Sequence, residues 1–290
     1  MIEQTNPDKP LWLRVLQFPL VRLILLGPLL FLMMGVSNGF WGHTFADSPL
    51  IGIAMAALMA ALGFAVYVVF VQFVERRPVS ELALSAMGRE LGLGMLIGTG
   101  LYTLCVLVLM ALGVYRIEGI NPLTMLLPSV AMALSSGVFE ELLHRGTLFR
   151  IVEESLGSWI ALLFSALFFG FRHLSNADGN IVGVLAITIE AGLLLAAAYM
   201  LTRRLWLSIG FHIAWNFTQS GIFSGSVSGG FEKPGLFKAI IEGPELLTGG
   251  KFGMEATIVA LLICTTAGLV MLVMAIRRGK IAPPFWRRAG

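Results

Sequence analysis

The feature that leaves this chain least choice is a series of uninterrupted apolar runs. Ile51 to Val74 and Leu91 to Val114 contain no charged residue, and each exceeds the 18 or so residues that read as a membrane span. Backbone groups in hydrocarbon must find their hydrogen bonds within the segment, so such runs are helices. Composition agrees. Of the 290 residues, 57% are hydrophobic and only 13% charged, against roughly 25% charged in soluble domains. A water-soluble enzyme, a disordered chain and a nucleic-acid-binding protein are excluded, because a globule of this size could not cover its surface. The net charge of +3 and pI near 9.1 do not restore nucleic acid as a partner, since the basic residues sit in short clusters beside apolar runs. The expectation is an all-α, polytopic bundle forming one transmembrane domain over 1–290.

Eight spans are expected: Phe18 to Ser37, Leu50 to Val74, Leu91 to Tyr115, Leu123 to His144, Gly157 to Leu174, Ile181 to Thr202, Leu205 to Phe223 and Ala256 to Ile276. The start, Met1 to Pro10, is polar and partly acidic, so the first run reads as a retained helix and not as a cleaved signal. With the N-terminus in the cytoplasm, all but five of the 20 Lys and Arg fall on inner segments. The five on outer segments are Arg116, Arg172, Lys233, Lys238 and Lys251. That bias predicts a multi-pass protein of the cell membrane with both termini cytoplasmic. Cys105 and Cys264 lie in separate apolar runs and read as small buried hydrophobes. The outer connection 224–255 reads as a solvated loop.

Ionisable groups inside spans cost about 2.5–3.5 kcal/mol each on insertion scales and are functional candidates by default. Here they cluster. Glu140, Glu141, His144 and Arg145 end the fourth span, His173 ends the fifth, Glu190 lies in the sixth, and His212 and Asn216 lie in the seventh. Glu141 and Arg145 are spaced i, i+4 and can pair, a supporting role that fixes the helix. Glu140 points about 100° away on the helical wheel, free to act as a base. His212 and Asn216, also i, i+4, project to one side. His43, in a polar loop, and His144, one turn from Glu140, read as structural, as does Glu190. A hairpin turning at Leu156-Gly157 puts Glu140 and His173 about 25 and 24 Å from its tip, level with each other. His212 lies about 12 Å in from Arg204, and Glu140 about 15 Å in from Arg150. Three helices therefore bring a carboxylate, two imidazoles and an amide to one layer, in the inner half of the membrane.

A carboxylate and a histidine can share a water and take its proton. A second histidine with an asparagine can donate to an oxyanion. The combination suits hydrolysis of an amide within the membrane. No Ser or Cys occupies a nucleophile motif and His-Glu-x-x-His is absent, although Glu140, His173 and His212 could together hold a zinc ion with one open position.

At these residues the chain resembles the CPBP intramembrane proteases, the family of CAAX proteases and bacteriocin-processing enzymes also called ABI. Glu-Glu-x-x-x-Arg matches Glu140, Glu141 and Arg145; Phe-x-x-x-His matches Phe169 and His173; His-x-x-x-Asn matches His212 and Asn216. His144 departs from the aromatic residue usual before that arginine. The resemblance implies a membrane endopeptidase opening to the cytoplasmic side. In it Glu140 and His173 activate water, His212 and Asn216 form the oxyanion site, and a membrane-associated peptide or protein is the substrate. Two other classes compete: a proton-coupled transporter, and a non-catalytic immunity or partner-binding membrane protein.

Overall fold

The computed structural model describes residues 10–287; the polar start up to Lys9, and Arg288, lie outside the described residues. The apolar runs form helices in the order α1 (Leu11–Leu16), α2 (Pro19–Gly39), α3 (Pro49–Phe70) and α4 (Leu84–Ala111). A strand, β1 (Tyr115–Ile120), precedes α5 (Leu126–Glu141), α6 (Arg150–Arg172), α7 (Ile181–Ile187), α8 (Leu193–Thr202) and α9 (Trp206–Asn216). The chain closes with β2 (Phe237–Ile241), the single turn α10 (Glu245–Thr248) and α11 (Ile258–Arg277). Six helical stretches are long and apolar enough to cross a membrane. The longest, Leu123–Ser175, is a hairpin. At Gly157 the backbone takes φ 82° and ψ 169°, a conformation essentially confined to glycine, and the two arms return side by side with the His144 and Phe168 rings 5.8 Å apart.

Side chains on the rim of the bundle are apolar and uncovered, as a lipid-facing surface requires: Leu96 is 71% and Leu163 60% exposed. Helices in lipid gain little from burying apolar surface and associate through close packing of small residues. Between α4 and α9 this is carried far. A Cβ on Gly94 would stand 2.2 Å from the Leu207 carbonyl oxygen, and one on Gly98 2.5 Å from that of Phe211. Backbone therefore lies against backbone, and Gly137 on α5 likewise meets Ile213. These contacts fix where α9 presents His212 and Asn216.

The two ends of the bundle differ in chemistry. One gathers the arginine clusters, whose buried members are paired, since charge withdrawn from water needs a partner. Arg150 reaches Glu75 at 2.7 Å and Glu154 at 2.8 Å, Arg22 meets Glu154 at 2.5 Å, Arg77 meets Glu81 at 2.6 Å, and Arg204 clasps Glu90. Burial alone would raise the Glu81 carboxyl, but Arg77 and Arg150 hold it at about 2. The hairpin tip belongs to this end, where Ser158 N–H donates to the Ala282 carbonyl at 2.9 Å.

The opposite end is covered by the connection 224–255, and here the expectation of a solvated loop is corrected. Residues 237–241 pair antiparallel with β1, with a bulge between Ile117 and Gly119. Beyond them Phe252, Met254 and Glu255 are buried. Asn176 donates to the Ser228 carbonyl at 2.7 Å and Asp178 N–H to that of Gly229 at 2.8 Å. The Trp41 and Phe231 rings meet edge-on at 5.5 Å. The segment is a strap tied to three other parts of the chain.

Candidate active site

Glu140 closes α5 and stands level with His173 across the hairpin, as the helix arithmetic requires. Its Oε2 lies 3.9 Å from His173 Nε2 and 4.0 Å from His212 Nε2. Neither is a hydrogen bond, and Oε2 is buried with no partner. An oxygen atom about 2.8 Å from Oε2 and from an imidazole nitrogen fits either gap. Oε1 is held differently, by Arg172 Nη2 at 2.5 Å.

Each imidazole is oriented by its other nitrogen. His173 Nδ1 is 2.7 Å from the Phe169 carbonyl, an acceptor, so Nδ1 carries the proton and Nε2 presents its lone pair to the Glu140 layer. His212 Nδ1 is 2.9 Å from Glu141 Oε1, which gives the same tautomer. In that tautomer His212 offers Nε2 as an acceptor, and it donates from Nε2 only as imidazolium. Glu141 Oε1 also accepts from Arg145 Nη1 at 2.9 Å, so Glu141 links α5, its own next turn and α9. Arg145 continues to the Ala191 and Gly192 carbonyls at 3.2 and 3.1 Å and lies 4.8 Å over the Phe169 ring. Asn216 donates one amide hydrogen to Ser136 Oγ at 2.9 Å; its second hydrogen remains for another acceptor.

The surrounding candidates sort by position. His144 does not touch the Glu140 carboxylate: its Nδ1 is 2.7 Å from the Glu140 backbone carbonyl, and its ring packs on Phe169 at 5.0 Å. Glu190 is buried away from the layer, beside Cys264. His43 is exposed at the cavity mouth. Two residues lining the cavity are not among the candidates that the sequence offers: Arg172, whose place beside His173 at a helix end is the available signal, and Glu255, which nothing local marks.

A cavity of about 530 Å³ extends from this layer. On α5 its wall is the stripe Pro128, Met132, Ser136 and Glu140, one residue per turn, and Glu140 is the innermost. The other end is bounded by Trp41, Asn176, Ser228, Phe231 and Lys233. The cavity therefore runs from Glu140 toward the strap, away from the arginine clusters. The expectations of cytoplasmic termini and of a cytoplasmic opening cannot both hold on this fold.

A zinc ion at Glu140, His173 and His212 fits poorly. Tetrahedral zinc with bonds of about 2.0–2.1 Å sets its ligand atoms about 3.3 Å apart, closer than the separations here. Arg172 bonds one carboxylate oxygen and stands 3.2 Å from His173 Nε2, which puts a fixed cation among the would-be ligands of a dication. Among the described residues no group of His, Cys, Asp or Glu has metal-holding geometry.

Residues 122–218 match the family described as Rce1-like, type II CAAX prenyl endopeptidase Rce1-like. The matched stretch holds every motif residue from Glu140 to Asn216 and ends before the strap. No curated protein and no solved structure matches the chain.

Proposed function

We propose, from the premise that residues 122–218 belong to the CAAX-protease family, that this integral membrane protein is an endopeptidase using Glu140 as its general base. The observation that carries the reading is the buried, unpartnered Oε2 of Glu140, facing two imidazole nitrogens at the base of a cavity. Arg172 occupies Oε1, which leaves Oε2 to take a proton from water. His173, its Nδ1–H given to Phe169, turns Nε2 to the same gap, where Arg172 Nη2 stands 3.2 Å from it. The water oxygen adds to the substrate carbonyl carbon, the carbonyl oxygen takes the negative charge, and the proton held by Glu140 passes to the leaving nitrogen as the C–N bond breaks.

Charge on that oxygen is met by Asn216 and by His212 as imidazolium, whose positive charge the Glu141 carboxylate at Nδ1 balances. Arg145, bonded to Glu141 and to two carbonyls of the sixth span, holds this pair in place. No step runs through a metal. Against the transporter alternative stands the packed cluster of Leu142, Phe149, Tyr199 and Leu205 inward of Glu140. Glu140→Gln, matching the wild type in size, is expected to lower cleavage of a reporter peptide in proteoliposomes by about 10²–10⁴-fold. Cleavage at the wild-type rate by that folded variant would refute the assignment.

A further inference from the structure

The side from which substrate arrives follows from two independent features, the direction of the cavity and the distribution of basic residues. The cavity extends from Glu140 toward the end that carries Trp41, Asn176 and the strap, as traced along α5. The same end holds the exposed Arg116, Lys233, Lys238 and Lys251, interspersed with Glu118, Glu232, Glu242 and Glu245. At the other end every connection is short and basic: Arg76-Arg77 after α3, Arg203-Arg204 between α8 and α9, Arg277-Arg278 and Lys280 after α11, and Arg150 near the hairpin tip. Orientation in a membrane is set by the count of Lys and Arg in short connections near span ends, not by net charge. That these arginines are mostly paired in the folded protein therefore does not weaken their effect during insertion.

We infer that the arginine-rich end is cytoplasmic and that the site takes its substrate from the opposite, extracytoplasmic face, as a peptide segment exposed there. The inference rests on the hydrolytic reading for the word substrate, and on geometry and charge alone for the side. A chain end carrying a prenyl group on the cytoplasmic surface would meet the arginine clusters and the packed layer of Leu142, Phe149 and Leu205, with Glu140 beyond them. A secreted or membrane-anchored peptide on the other side meets the mouth directly, between the Trp41–Phe231 aromatic pair and Lys233. The segment that frames this mouth lies outside the stretch shared with the family, so it is where this chain is free to differ.

Single cysteines report the side without reference to catalysis. The wild type supplies the background, because Cys105 and Cys264 are each 1% exposed. Lys233→Cys and Glu118→Cys mark the mouth end, and Arg278→Cys and Arg76→Cys the other; all four positions are exposed. With a membrane-impermeant maleimide, the first pair is expected to label as fully on intact cells as on permeabilised ones. The second pair should stay at wild-type background until permeabilisation. The reverse pattern would overturn the inference. It would leave the peptidase reading intact, because that reading is tested by Glu140→Gln; conversely, the expected labelling with cleavage insensitive to Glu140→Gln would sink the peptidase reading and keep the orientation.

Discussion

Glu140 and Glu141 are adjacent in the chain and buried to 6% and 0%, yet their partners divide them between chemistry and support. Glu141 spends one oxygen on Arg145 and His212 together. Each keeps an Oε2 without a hydrogen-bond partner, and that of Glu140 faces both histidines. Asn216, with one amide hydrogen on Ser136, keeps a second one for another acceptor. Asn216→Ala is expected to reduce kcat by about 10²–10³-fold with little change in KM, the signature of a donor used mainly in the transition state. At the far wall of the cavity Glu255 is buried, and burial pushes its carboxyl up to about 7, an effect that neighbouring Ser228, Trp215 and Gln219 oppose. The folded protein thus keeps a proton that the unfolded chain releases near 4.5. Between these values the native state binds more protons, so this carboxyl's contribution to stability falls as pH rises from about 4.5 to 7. Glu255→Gln should flatten that decline, read as the difference in unfolding temperature in detergent between pH 5 and pH 8 for variant and wild type.

At the scale of elements, the hairpin was legible because helical rise is local and regular. Equal counts from Gly157 bring Glu140 and His173 level whatever surrounds them. The turn itself depends on one residue. A Cβ at Gly157 would lie 2.7 Å from Pro284 N and 2.9 Å from the Ala282 carbonyl, in a backbone conformation other residues avoid. Gly157→Ala is expected to cost about 1–3 kcal/mol, measurable as lowered thermal stability, with cleavage by the remaining folded protein retained. Less legible were the wide π-helical turns Leu142–Phe149 and Phe217–Ile222 that follow directly on Glu141 and Asn216. Apolar periodicity does not distinguish a π turn from an α turn over so few residues. Such turns recur at functional sites because they re-aim neighbouring side chains. The strap was also hidden. It has no continuous apolar run, and its few anchors, Phe252 foremost among them, are buried by contacts with α7 and with Phe169 and Ile187, far away in the chain.

Across the whole molecule, the arginine clusters and the cavity lie at opposite ends, and this polarity gives the cluster around Glu140 a side. Phe252→Ala is expected to destabilise the protein by about 3–5 kcal/mol, seen in thermal unfolding, because Phe252 is wholly buried against Gly183 and its loss unseats the strap. The sequence by itself determined that the chain lives in a bilayer, that its segments there are helices, and that Glu140, His173 and His212 reach one level. Those properties follow from hydropathy and from a fixed rise per residue, which neighbours in the chain suffice to set. Only the tertiary structure decided that Arg172 takes one oxygen of Glu140, that Glu255 faces the same cavity, and that the cavity opens beneath the strap. Those depend on how each helix is rotated about its axis and on contacts between residues tens of positions apart, which leave no period in the sequence to read.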